Sequence, residues 1–461
     1  MNRARQRPPW SGCHLRLLLI GPSWTNDAWN GGKTLIPPLS LPMLAALTPP
    51  GHDIRLVDEH VEAVDPKAQA DLVGLSFMTA AAPRAYELAD GYRRRGIPVV
   101  LGGMHASALP AEAGAHADAV VVGEAEGQWQ RLIADFERGS LQPLYQAPAR
   151  PELDGLPTPR RDLLRPGAYL TPNIVQTARG CPHACTFCSV SPVFGRKYRF
   201  RPVPEVVEEL RSLSSRSVGF VDDNIVASPG RARELFEAIT PLGLQWVGQG
   251  DLSMADDPEL LDLMRRSGCA AMFVGIESVS RESLAVSKKR PNLGIDTTEA
   301  ISKIHRAGID IVGSFVLGLD PDTLASCRET VRFAERVKLG AAQFAVLTPF
   351  PGTPVHDQLK AEGRITTFDW ALYTMGNVVY KPANMTAEEL AAERAYAYKR
   401  FYSAGSIARR MMVWRRGKPK IALRLALNLS YRRLHRGGTI MNRVPYDGGV
   451  RDPIARPVAE G

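Results

Sequence analysis

The sequence predicts an α/β protein with a doubly wound parallel sheet first, a partial (βα)6 barrel second and a helical, basic region last. Three observations carry that expectation. Short β-rich runs alternate with helical stretches up to about residue 138. A strand–helix unit then recurs about six times between residues 173 and 355. Between these blocks, residues 139–172 hold Pro143, Pro148, Pro151, Pro157, Pro159 and Pro166 and read as an irregular linker.

In the first block, residues 13–138, strands are expected at Leu15–Ile20, Ile54–Val57, Leu72–Phe77, Val99–Leu101 and Ala119–Val122. These runs are short and rich in Leu, Val and Ile, as strands covered on both faces are. Helical patterns occupy Ala85–Arg95 and Glu124–Arg138. A ligand of such a sheet belongs at the carboxyl ends of its strands. In the second block, residues 173–355, strands are expected at Asn173–Ala178, Ser217–Val221, Leu244–Gly248, Ala271–Ile276, Ile309–Leu317 and Ala341–Leu347. Helices such as Val203–Leu213, Ala232–Ile239, Pro258–Arg266 and Thr323–Val337 intervene, and functional residues belong on the loops after the strands. Residues 356–461 form a helical C-terminal domain with a basic tail and no nameable motif.

A chain of 461 residues with 44% hydrophobic and 23% charged residues is ordinary for a soluble protein of two or three domains. The apolar run Leu17–Ile20 after Arg3, Arg5 and Arg7 is too short for a signal peptide and is followed by Gly21-Pro22, so it reads as a first strand. No stretch approaches the length of a membrane span. The net charge of +9 is concentrated: eleven Lys/Arg and no Asp/Glu lie between Arg409 and Arg443, leaving 46 basic against 48 acidic residues elsewhere. Solvated surface is the favoured reading of that run. A peripheral helix on an acidic membrane surface is the alternative, and nucleic acid is not expected as a partner.

Six cysteines in this length do not form a disulfide framework, and Cys13, Cys269 and Cys327 read as plain core residues. The other three lie in Cys181-Pro182-His183-Ala184-Cys185-Thr186-Phe187-Cys188, after a strand-like run and Gly180. Soft thiolates so clustered suit iron–sulfur or zinc, and a cubane held by three of them leaves one iron open. The competing reading is a zinc site completed by His183 or a distant cysteine, but no second Cys/His pair follows at zinc-ribbon spacing.

This motif, with the aromatic Phe187 before its third cysteine, resembles the radical S-adenosylmethionine (radical SAM) enzymes. The resemblance implies a [4Fe–4S] cluster on Cys181, Cys185 and Cys188, with SAM on the open iron and reductive cleavage to a 5′-deoxyadenosyl radical. Gly275-Ile276-Glu277-Ser278 is similar to the family's ribose motif, which makes Glu277 a candidate for the ribose hydroxyls. Asp222 and Asp223 stand where the family's second-strand motif faces the SAM amino group, although its small-residue form is absent. A lone carboxylate at a strand end could equally cap the next helix.

The N-terminal block resembles the Rossmann-like cobalamin-binding domain that precedes the barrel in one radical SAM subgroup. The loop after the first strand reads Asp27-Ala28-Trp29-Asn30-Gly31-Gly32 where that domain type carries D-x-H-x-x-G. Ser76 and the pair Gly102-Gly103 match its later S-x-L and G-G elements. Asp27, Trp29, Gly32, Ser76, Gly102 and Gly103 are thus the cobalamin candidates. Trp29 replaces the cobalt-ligating histidine, so cobalamin is expected without a protein histidine on cobalt. His60, in Asp58-Glu59-His60, partly mimics the motif from the loop after the second strand. His105 is as well explained as a structural loop residue.

The resemblance implies a cytoplasmic, cobalamin-dependent radical SAM enzyme acting on a small-molecule or lipid-like substrate, with an electron donor such as flavodoxin or ferredoxin. C-methylation of an unactivated carbon is the expected reaction. Oxidative cyclisation or rearrangement on the same framework is the alternative, and a non-catalytic iron–sulfur or redox protein is the alternative of another class. An oxygen-labile cluster and free thiols point to a reducing compartment.

Overall fold

The computed structural model describes residues 14–24, 36–171, 173–411, 424–425 and 427–432. They form two compact units. The first holds the described residues up to Pro151 with Pro157–Leu170, and the second holds Glu152–Leu156, Thr171 and the described residues from 173 onward.

The first unit is one parallel sheet of β1 (Arg16–Gly21), β2 (Asp53–Asp58), β3 (Leu72–Ser76), β4 (Val99–Gly102), β5 (Ala119–Val122) and β6 (Leu144–Gln146). Its order is β2-β1-β3-β4-β5-β6, so the chain reverses direction across the sheet between β1 and β3. That switch point leaves a crevice at the carboxyl ends, where such sheets bind ligands. Leu17, Leu19, Leu72, Val100 and Trp129 pack in the core. The stretch expected as a linker departs from that reading, because β6 pairs with β5 from Val120↔Leu144 to Val122↔Gln146. Proline spacing hid it, since a three-residue strand has too few residues for a period.

The second unit carries β7 (Ile174–Val175), β8 (Ala178–Arg179), β9 (Arg199–Phe200), β10 (Ser217–Phe220), β11 (Gln245–Gly250), β12 (Cys269–Glu277), β13 (Asp310–Leu317) and β14 (Ala341–Val346). Six form a parallel sheet in the order β14-β13-β12-β11-β10-β7, and β8 and β9 form a separate antiparallel ribbon. This is the open (βα)6 arrangement. The single strand expected over Asn173–Ala178 is split in two because the Asp222 carboxylate takes the backbone N–H groups of Thr177 and Ala178 and turns the chain out of the sheet.

The described residues beyond 356 belong to the second unit and do not form a compact unit of their own. Helix Ala387–Phe401 covers the free edge of β14 with side chains. The Tyr402 hydroxyl accepts from Ala342 N (3.0 Å) and donates to Ala342 O (2.8 Å). Tyr398 accepts from Phe344 N, and Arg394 donates to Phe344 O. Side-chain phenols thus do what a seventh strand would do for an edge. The basic tail is partly built into the same seal. Arg410 is 1% exposed, lies 3.8 Å from the Phe401 ring centroid and donates to Leu339 O and Asn428 Oδ1. Arg424 is also buried and donates to Lys338 O. These two correct the expectation of a wholly solvated charge run. Among the described residues, no helix is long and apolar enough to cross a membrane.

Tyr402→Phe should strand both polar groups of Ala342 and cost about 1–3 kcal/mol. Urea denaturation followed by the second unit's transition measures it. A loss below about 0.5 kcal/mol would show that water seals the edge as well as the phenol does.

Candidate functional site

The β8–β9 ribbon frames the cysteine loop. Gly180 opens that loop at φ +89°, and a Cβ there would stand 2.5 Å from Lys197 O, so only glycine fits. Cys181 N donates to Gly195 O and Cys188 N to Cys185 O, which folds the loop back on itself. All three thiols are free, with Cys185 buried and the other two half-buried. Burial raises each pKa, that of Cys188 to about 12, so the bare thiols stay protonated at neutral pH and a metal must displace the protons.

Three acidic side chains gather at the carboxyl ends of β10 and β11. Asp222 is fully buried, and its oxygens accept from Thr177 N, Ala178 N and Thr177 Oγ1. It holds the exit of β7, a different task from the expected SAM contact. Burial still lifts its pKa to about 6 against those bonds. Asp223 is lifted to about 7 by burial and then by the charge of Asp222. Its Oδ2 is buried with no hydrogen-bond partner among the described residues. Such an orphan acceptor fits a cationic donor.

Asp251, after β11, accepts from His183 Nε2 (3.1 Å), Asn224 Nδ2 (2.7 Å) and Ser253 N (2.9 Å). Burial alone would raise its pKa, but these bonds outweigh it and hold the carboxyl below its usual range. The middle of the cysteine motif is therefore tethered through His183 to the ends of two strands. Phe187 packs on the second unit's core. Thr186 is gripped from both sides, donating to Ser287 O (3.1 Å) and accepting from Val355 N (3.0 Å).

Glu277 ends β12 at φ 65°, where the β12–β13 register shifts. It is 7% exposed, and Oε1 accepts from Lys289 Nζ at 3.0 Å. No hydrogen bond to its Oε2 is found among the described residues, which leaves an acceptor for hydroxyl groups.

In the first unit, Ser76 closes β3 and its Oγ donates to Ser40 Oγ at 3.3 Å. Gly103 has φ 95°, and a Cβ would lie 2.6 Å from Phe77 O. Its glycine character thus first serves the β3–β4 junction. Gly102 is under no such constraint. His105 is fully buried with Nε2 3.2 Å from Glu112 Oε1, and burial lowers its pKa, as for a structural histidine. His60 Nδ1 lies 3.0 Å from Asp58 Oδ1, whose Oδ2 accepts from Tyr169. His60 Nε2 is buried without a partner among the described residues. Asp27, Trp29 and Gly32 lie outside the described residues.

Sequence reasoning missed Asp251, Lys289 and the tether through His183. Lys289 stands in Lys288-Lys289-Arg290, which reads as surface charge. Only the fold turns its side chain inward.

The chain matches the family model described as Radical SAM superfamily over residues 175–334 and that described as B12 binding domain over residues 33–133. It is 29% identical over 414 residues to bacteriochlorophyllide d C-12(1)-methyltransferase of Chlorobaculum tepidum, spanning 87% of this chain and 90% of that protein. It is 30% identical over 363 residues to bacteriochlorophyllide d C-8(2)-methyltransferase of the same organism, spanning 74% and 80%. Among solved structures, the radical S-adenosylmethionine methyltransferase TsrM from Kitasatospora setae, with cobalamin and a [4Fe–4S] cluster bound, shares the fold. Its TM-score is 0.61 at 18% identity, over 76% of this chain and 75% of that one.

Asp251→Asn keeps the shape but sets an NH2 group against donors. Losing a charged acceptor here should destabilise the second unit by about 1.5–3 kcal/mol and slow iron uptake. Denaturation of the iron-free protein and iron loading over time measure both, and an unchanged loading rate would show that the tether is dispensable.

Proposed function

This chain belongs to the cobalamin-binding radical SAM family, and on that premise we propose that it is a C-methyltransferase acting on an unactivated carbon of a small-molecule or lipid-like metabolite. It is a radical SAM enzyme whose cofactors are a [4Fe–4S] cluster, SAM and cobalamin. The observation that carries the methylation reading is the pairing, in one chain, of the thiol loop at the exit of the first barrel strand with a parallel sheet that has a switch point, where such sheets bind ligands. That two relatives spanning most of the chain are bacteriochlorophyllide d methyltransferases supports the same reading.

The residues present fit these groups. Three free thiols on one loop offer a soft donor set that leaves one iron open. We assign the cluster to Cys181, Cys185 and Cys188, the SAM ammonium to the orphan oxygen of Asp223, the ribose to Glu277, and a further SAM contact to Phe187. Ser76, Gly102 and Gly103 receive the cobalamin tail. When bound, the cluster with SAM supplies a one-electron route to breaking a C–H bond, and cobalamin supplies the methyl group. The chain's own task is to hold each partner in place and keep water from the site. A small reductant such as flavodoxin or ferredoxin would supply the electron, in a reducing cytoplasm.

Replacing Cys181, Cys185 and Cys188 together by alanine should abolish 5′-deoxyadenosine production by the anaerobically reconstituted protein, read by liquid chromatography. Continued production would overturn the cluster assignment. Mass spectrometry of metabolites from cells with and without the gene should show a product heavier by one methylene. A product lighter by hydrogen would indicate cyclisation instead.

Cobalamin should bind base-off with no histidine on cobalt, so EPR of the cob(II) form should lack strong nitrogen superhyperfine splitting. The rival is specific. His60, oriented by Asp58 and with a buried Nε2 that has no partner among the described residues, has the carboxylate–imidazole form of a metal ligand. Splitting that vanishes in His60→Ala would make that histidine the ligand.

A further inference from the structure

The segment between β12 and helix Arg290–Leu293, which includes the short helix Arg281–Val286, turns one largely buried cation inward. Lys289 is tucked inward while Lys288 and Arg290 beside it are exposed. Its ammonium donates to Glu277 Oε1 at 3.0 Å, with side chains 12% and 8% exposed. Three features make room for this contact. A Cβ at position 275 would collide with the Glu277 carboxylate and stand 2.8 Å from Lys289 Nζ, so Gly275 is required by the pair. The register shift in β12 places Glu277 at positive φ, a conformation that a non-glycine residue holds only when its surroundings impose it. Asn292, from the short helix that Lys289 precedes, donates to Gly275 O and Ile276 O and pins the strand end to the loop.

The same loop grips the cysteine motif through Ser287 O and Thr186 N. Burial alone would lower the pKa of Lys289, but the adjacent Glu277 carboxylate raises it by more, so the ammonium stays charged. Its partner is thus a carboxylate facing that cation, with one oxygen held at 3.0 Å and the other without a hydrogen bond among the described residues.

We propose that Lys289 is the positioning residue for SAM binding, acting through Glu277: it holds the carboxylate in the orientation in which the second oxygen meets the ribose hydroxyls. This rests on the reading of Glu277 as the ribose contact. Lys289 does not touch SAM and adds nothing once Glu277 is neutral.

The test is a double-mutant cycle on cluster-reconstituted protein, with the SAM dissociation constant measured by titration calorimetry and iron content recorded alongside. Glu277→Gln should weaken SAM binding by about ten- to a hundredfold. Lys289→Met should weaken it comparably at unchanged iron content, and Lys289→Arg should retain most of the affinity. The double variant should match Glu277→Gln within about twofold. An unchanged dissociation constant in Lys289→Met, with Glu277→Gln weakened, overturns the positioning role and leaves the ribose reading intact. Wild-type affinity in Glu277→Gln overturns the ribose reading itself. Should Lys289→Met fail to hold iron because a buried carboxylate is left unpaired, the double variant, which has no such charge, decides. Equality with Glu277→Gln supports the role, and a further full-sized loss overturns it.

Discussion

A buried carboxylate at the end of one strand organises the second unit. Asp222 has no exposed surface, and an ion placed there is tolerable only if donors surround it. The donors are the backbone of the neighbouring strand, Thr177 N and Ala178 N, with the Thr177 hydroxyl. Meeting that demand ends β7 after two residues and sends the chain into the β8–β9 ribbon. The ribbon sets the two feet of the cysteine loop, and the tight turn at Gly180 follows from its closeness to Lys197. Without this contact the loop would leave the sheet along the strand axis, and the thiols would not meet the ends of β10, β11 and β12.

Four acids line that rim, three of them buried and Asp223 half-buried, and each is compensated differently. Asp222 uses backbone N–H groups. Asp251 uses a histidine, an amide and a serine. Glu277 uses an ammonium. Asp223 has a buried oxygen left over and a pKa near neutrality, and Glu277 keeps its second oxygen without a hydrogen bond among the described residues. The distinction separates scaffold from ligand site. A carboxylate whose acceptors are filled by its own chain holds the fold, while one with an acceptor to spare can still receive another molecule.

The C-terminal residues serve the barrel from the other side. An open parallel sheet ends in a strand with unpaired backbone, and β14 would be such an edge. Tyr398, Tyr402 and Arg394 meet its alternate residues at the spacing that one face of a helix and one edge of a strand share. Arg410 ties the seal to the turn before β14 through Leu339 O and Gly340 O. Cationic residues that look like a solvated tail in composition are here hydrogen-bond donors to carbonyls that have no other strand to face.

Much of this was legible before any coordinates. The alternation of apolar runs gave both parallel sheets, because strand and helix periods are local. The cysteine spacing, Phe187, Glu277, Ser76 and the glycine pair are also local patterns, and they pointed to the cofactors. What the chain by itself could not say was which charged groups would be buried together. Asp222 and Asp223 are adjacent and chemically identical, yet one is consumed by a strand 45 residues earlier and the other keeps a free oxygen. Lys289 sits in a run of three cations, and only the bulge in β12 and the absence of a side chain at Gly275 bring it against Glu277. β6 and the edge seal escaped for the same reason. Partnership between distant residues is settled by packing and by the cost of burying unpaired polar groups, and neither quantity exists until the chain has folded.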